Sequence, residues 1–178
     1  GTDPRPLLAK AIADVDEAIA IRGDTTSGYL QRGSVHLSMG LAEAARGADG
    51  RESFRKALAD FETAAGLAPG STQFMNRGGV YQGIARVEVG RGEDARESLR
   101  KAITEFDAEI ALHPDSFLGH YSRGNAHKDL GDAEAARGVD PRATYFKSID
   151  DYDQALRQRP RNIDCFNNRA TAWLCLGL

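Results

Sequence analysis

The chain has 178 residues, with 23 lysines and arginines against 26 aspartates and glutamates, a formal charge of −3 and 41% hydrophobic residues. That balance excludes intrinsic disorder, whose signature is low hydrophobicity with high net charge, and it leaves no excess positive field to gather phosphates. No apolar run approaches the ~18–20 residues that a bilayer span needs, so neither nucleic acid nor membrane is an expected partner.

Helical periodicity starts almost at once, after a Gly-Thr-Asp-Pro-Arg-Pro opening that has none of the apolar core of a signal peptide. Eight helices are predicted, over 4–21, 25–46, 50–67, 72–90, 95–112, 116–137, 141–158 and 162–177. The first carries Ala11 and Val15, four apart on one face, and stops at Gly23. The second introduces Arg32-Gly33, with Tyr29 three residues before the Arg and His36 four after it. The third repeats the i, i+4 pair as Ala57 and Phe61 and stops at Pro69. From there the register recurs. Arg77-Gly78 sits between Phe74 and Tyr81, Ala102 and Phe106 follow, and Pro114 closes the copy. Next come Arg123-Gly124 between His120 and His127, then Ser148 and Tyr152, then Pro160. The last helix holds Arg169-Ala170 between Phe166 and Trp173. The arginines are spaced by 45, 46 and 46 residues, and a period in this range marks a solenoid in which each unit buries its apolar face against a neighbour.

A second motif repeats in the turns: Arg46-Gly47-Ala48-Asp49-Gly50-Arg51, Arg91-Gly92-Glu93-Asp94-Ala95-Arg96 and Arg137-Gly138-Val139-Asp140-Pro141-Arg142. The glycines are placed to take the left-handed conformation past a helix end, with Arg beside the carbonyl end of the dipole. Asp49, Asp94 and Asp140 are expected to N-cap the next helix, with Pro141 at its first position. Asp3-Pro4-Arg5 matches the last copy.

Over three copies, the order aromatic-x-x-x-Gly-x-x-Tyr, then Ala-x-x-x-Phe, then Pro resembles the tetratricopeptide repeat (TPR) family, across nearly the whole chain. Two departures are systematic. Arg replaces the usual Leu before the Gly in every copy, and each repeat runs about 11–12 residues beyond the usual length of about 34. The extra residues lie between the paired helices, because Gly33 to Ala57, Gly78 to Ala102 and Gly124 to Ser148 all span 24 residues. The resemblance implies an all-α fold, a right-handed α-α superhelix of about eight antiparallel-paired helices forming one solenoid over 1–178. Its parts are a half repeat 1–24, repeats 25–70, 71–115 and 116–161, and a half repeat 162–178. It also implies a protein-interaction module rather than an enzyme, with the first helix of each repeat lining a concave groove.

The residues on either side of each Arg-Gly pair are small, polar and uncharged, where a simple solvent face would carry Lys and Glu. Before the Arg stand Gln31, Asn76, Ser122 and Asn168; after the Gly or Ala stand Ser34, Gly79, Asn125 and Thr171. Side-chain amides both donate to and accept from a peptide backbone, which suits capture of an extended peptide or a partner helix. Leu30, Met75 and Tyr121 beside them would take apolar side chains, and Lys128 a carboxylate. The competing reading is that small polar residues simply let neighbouring repeats approach. The Lys/Asn clamp of chaperone-binding TPR domains is absent, since Leu30 and Ser34 stand in its place.

Other chemistry is weaker. The arginines of the Arg-Gly row have an acid row of the same count and period, Asp14, Asp60, Glu105 and Asp151, so ion pairing outweighs an anion track. The turn arginines are explained by capping and diluted by aspartates. His120 and His127 stand in ring positions of the repeat, so core packing outweighs metal ligation. No nucleophile–base pattern or phosphate loop occurs, and no enzyme activity, cofactor or metal is expected. Cys165 and Cys175 lie about 15 Å apart on one helix, too far to bridge, which fits a reducing, cytoplasmic location. A structural alternative is self-association through helices 4–21 and 162–177, whose apolar faces of Leu7, Leu8, Ala11 and Ile12, and of Phe166, Trp173 and Leu174, lack a mate in the repeat scheme.

Overall fold

The computed structural model describes residues 3–23, 25–68 and 70–177, with Ser71 described by its backbone only. Pro69, expected to end the third helix, lies outside the described residues. Among the described residues the chain is all-α, with α1 (Arg5–Arg22), α2 (Thr26–Ala44), α3 (Arg51–Leu67), α4 (Ser71–Gly90), α5 (Arg96–Leu112), α6 (Phe117–Ala135), α7 (Arg142–Gln158) and α8 (Ile163–Cys175). Every helix end falls within two residues of its sequence expectation. None of these helices is long and apolar enough to cross a membrane.

The chain divides into two compact units, residues 1–93 and 94–178. In the first, each helix packs on the next and α4 also reaches α2; in the second, α5 packs on α6, α6 on α7 and α7 on α8, and α8 reaches α6. Local chemistry sets these boundaries. Gly47, Gly92 and Gly138 take φ of 74°, 73° and 71°, which a side chain would resist. Around them the amides of Ala48, Glu93 and Val139 reach back to the carbonyls of Glu43, Glu88 and Glu134 at 2.8–3.0 Å, closing a Schellman motif three times. At the other kind of start, Thr25, Ser116 and Asn162 cap α2, α6 and α8 by accepting the amides of Gly28, Gly119 and Cys165.

The aspartates of the turn motif do something other than the capping expected of them. Gly50, Ala95 and Pro141 occupy the cap, and their carbonyls accept the first helical bonds from Phe54, Leu99 and Tyr145. Pro141 therefore precedes the first helical residue instead of filling that position. Asp49, Asp94 and Asp140 stand one residue earlier and accept the amides of Arg51, Arg96 and Arg142 at 3.1–3.2 Å. The reason is the reach of the short carboxylate, which closes an i to i+2 turn more readily than it reaches the third helical amide. Asp3 treats Arg5 the same way.

Two cores follow. In the first unit Phe54, Ala57 and Phe61 of α3 meet Val80 and Val87 of α4. In the second, Tyr152, Ala155 and Leu156 of α7 meet Phe117 of α6 and Cys165 of α8. Rings of α3 and α7 close on glycines of α2 and α6. A Cβ at Gly33 would sit 2.6 Å from the Phe61 ring, and one at Gly124 would sit 2.9 Å from the Tyr152 ring. Phe54 on Gly40 and Tyr145 on Gly131 repeat the contact seven residues, about two helical turns, away.

Gly33→Ala is expected to lower stability by about 1–3 kcal/mol, because the added methyl overpacks a closed contact. Gly66→Ala, in α3 where an added methyl would meet nothing within 4 Å, should instead raise it by a fraction of about 1 kcal/mol. Urea unfolding of the two variants beside the parent checks both signs.

Candidate functional site

The arginine row forms a repeated clip. Arg32 of α2 places Nε and Nη2 on the Asp60 carboxylate of α3 at 2.6–3.2 Å and turns Nη1 to Asp16 of α1 at 2.7 Å. Arg123 of α6 does the same, with Asp151 of α7 at 2.6–3.1 Å and Asp107 of α5 at 2.7 Å. Each guanidinium thus ties its own helix to the ones before and after it. Asp60 and Asp151 are 5% and 1% exposed, so their charge is tolerable only with this bidentate partner. Arg169 of α8 pairs with Asp153. The ring three residues before each Arg stacks on it in three copies: Tyr29, Phe74 and Phe166 lie 5.2–5.3 Å from the guanidinium carbons of Arg32, Arg77 and Arg169. The pairing acids Asp60 and Asp151 are visible from their period. Asp16, Asp107 and Asp153 escape sequence reasoning, although each stands two residues beyond the acid row.

At Asp151 the clip acquires histidines. His127 Nδ1 lies 2.9 Å from Asp151 Oδ2, and His120, buried, holds the Pro114 carbonyl through Nε2 at 2.8 Å. Burial pushes the Asp151 carboxyl up, but the hydrogen bonds from His127 and Arg123 and the Arg123 charge more than offset it, so the group lies below the ordinary carboxylate value. Burial also holds His36 of α2 below the ordinary imidazole value. No cluster of three or more His, Cys, Asp or Glu suited to a metal exists among the described residues. The buried Cys165 thiol is pushed up to about 11 by burial, which removes it as a nucleophile at neutral pH.

The turn arginines are likewise engaged by carboxylates of their own chain. Arg51, Arg96 and Arg142 each grip the aspartate two residues before them, and Arg51 also holds Glu93 at 2.9 Å. The hydrogen bond to Arg5 holds Asp3 at about 2, and that to Arg51 does the same for Asp49.

The polar residues that flank the Arg-Gly pairs separate into two groups. In the second unit, Asn125 Oδ1 accepts from Tyr152 Oη at 2.7 Å and from Asn168 Nδ2 at 2.9 Å, and Asn168 Nδ2 also reaches Tyr121 Oη at 3.1 Å. Tyr121, Asn125 and Asn168 therefore form one network linking α6, α7 and α8. Lys128 spans Asp129 and Asp132, Thr171 bonds back to the Asn167 carbonyl, and Ser122 is half-buried on α6. In the first unit, Leu30, Gln31 and Ser34 of α2 and Asn76 of α4 line one open groove of about 670 Å³. Met75, half-buried on α4, is not in its lining. The opposite wall is Ala11, Asp14 and Val15 of α1, which periodicity alone does not bring to the polar row. Ser34 Oγ bonds back to the Leu30 carbonyl at 2.8 Å and keeps its acceptor capacity toward the groove. The site is therefore an apolar trough with amide, hydroxyl and carboxylate groups at its rim.

No protein-family model matches this chain, and no curated protein matches it. Among solved structures, a thermophilic TPR protein from Thermus thermophilus aligns with a TM-score of 0.47 and 16% identity, over 96% of this chain and 97% of that one.

Asp151→Asn should cost about 3 kcal/mol at neutral pH by stranding Arg123 and His127. A depressed carboxylate contributes stability that is complete above its unfolded value of about 3.9 and is lost as pH falls through the folded value. The gap between parent and variant should therefore be widest above about pH 5 and narrow below about pH 4, as read by urea unfolding across pH.

Proposed function

We propose that this chain is a non-enzymatic protein-interaction module of the TPR-like kind, and that the groove of α1, α2 and α4 captures a helix of a protein partner. One observation carries the reading. Ala11, Asp14 and Val15 hold on α1 the register that Ala57, Asp60 and Phe61 hold on α3, and those three are buried where α2 brings Arg32 and Gly33 against them and α4 adds Val80. The trough thus has the lining of a seat for a helix, with Gln31, Ser34 and Asn76 placed to bond its flank. The mutual bonds of Tyr121, Asn125 and Asn168 support a role in joining α6 to α8 more than in capture. Two free cysteines, one of them exposed, fit a reducing, cytoplasmic setting.

A peptide-display selection against the full chain, at a dilution where it is monomeric, tests this. The expected result is a motif with apolar residues at i, i+3 and i+4, whose affinity falls at least about tenfold in Ser34→Arg, a shift of about 1.4 kcal/mol. Lys128→Ala in the second unit should leave it unchanged. A motif indifferent to Ser34→Arg in a variant folded by circular dichroism would refute the groove.

A further inference from the structure

The groove's register identifies what kind of helix it would seat, and α8 is such a helix. Resting on the groove reading above, we propose that the occupant is α8 of a second copy of this chain, docked head to tail on α1. The first argument is charge. Arg32 and Arg123 each hold two acids, with Nε and Nη2 on the acid of the following helix. Arg169 holds Asp153 through Nη1, and its Nε and Nη2 meet no acceptor among the described residues. Asp14 stands in the register of Asp60 and Asp151, is exposed, and has no partner among the described residues. The donor pair on α8 and the acceptor on α1 are the two halves of the clip closed at Arg32–Asp60 and Arg123–Asp151.

The second argument is size, and it is independent of charge. Where α2 meets α3 and α6 meets α7, a glycine accepts a ring, Gly33 under Phe61 and Gly124 under Tyr152, with no space for a methyl. On α8 the glycine position is Ala170, and on α1 the ring position is Val15. One side gains a methyl while the other loses an aromatic ring, so Ala170 and Val15 are matched to each other and to neither regular partner. The flanking face of α8 carries Phe166 and Trp173, 43% and 37% exposed, which occupy the ring positions that bracket Gly124 in α6.

The contact joins two different surfaces, so it is heterologous, and each contact leaves an α1 face free on one copy and an α8 face free on the other. Sedimentation velocity of the full chain across a wide concentration range tests it. The expected result is a mass that rises with concentration above the 19.2 kDa of one chain. Asp14→Arg and Arg169→Asp, each folded by circular dichroism, should each return it to one chain. An equimolar mixture of the two variants should associate again, because each contact in an alternating array regains an opposite-charge pair. A parent chain that stays monomeric, association that survives either variant, or a mixture that stays monomeric while the parent associates would overturn the proposal. Selection of a helical motif by a strictly monomeric chain would leave the groove reading standing and remove this occupant alone.

Discussion

Two carboxylates, Asp60 and Asp151, are taken out of water within apolar helix faces, and each unit is arranged around keeping them charged. A buried carboxylate without a partner would neutralise or unfold its surroundings, so the guanidinium that meets it is a condition of the packing. Arg suits the role because its planar fork satisfies both oxygens and leaves Nη1 free for a third helix. The acid on that third helix, Asp16 or Asp107, is largely exposed and adds little by itself. Its effect is geometric, since it fixes the direction of the fork and so the spacing of consecutive helices. The aromatic residue three positions earlier covers the guanidinium face in three of the four copies.

This clip accounts for an Arg at positions 32 and 123. An aliphatic residue would pack without direction, whereas Arg specifies which acid, and therefore which helix, lies on either side. The glycine that follows has a coupled role. With the backbone of the first helix bare at Gly33 or Gly124, the ring of the second helix lies against it, and the approach brings Asp60 or Asp151 within reach of the guanidinium. Apolar contact and ion pair thus support one another within a single helical turn. The His127 and Ser148 bonds extend the arrangement in the second unit, where Ser148 Oγ donates to the Gly124 carbonyl.

The same register gives the groove its meaning. On the proposed reading, a helix face built as Ala, Asp and Val in the spacing of a covered face, beside a neighbouring helix with polar groups at the rim, would receive a helix that presents an arginine and a small residue one position apart. Binding there would draw on a preformed surface and on a charge pair whose other instances already hold the fold together.

Most of the architecture was determined by the sequence alone. Helix positions, the left-handed glycines and the matching of an arginine row to an acid row follow from periodicity, local backbone sterics and matched periods, all of which act over a few residues or recur in each copy. Which acid each arginine meets was decided by the packing. The placing of Asp49, Asp94 and Asp140 one residue before the cap did not follow, because the choice between an i to i+2 and an i to i+3 bond is decided by the turn's geometry. The division of the polar row was likewise tertiary. Asn125 and Asn168 are identical in type to Asn76, yet the first two are spent on each other and on Tyr121 and Tyr152, while Asn76 lines a trough. A polar side chain's sequence neighbours fix what it can bond. Only the packing of helices distant in sequence decides whether that capacity is already used.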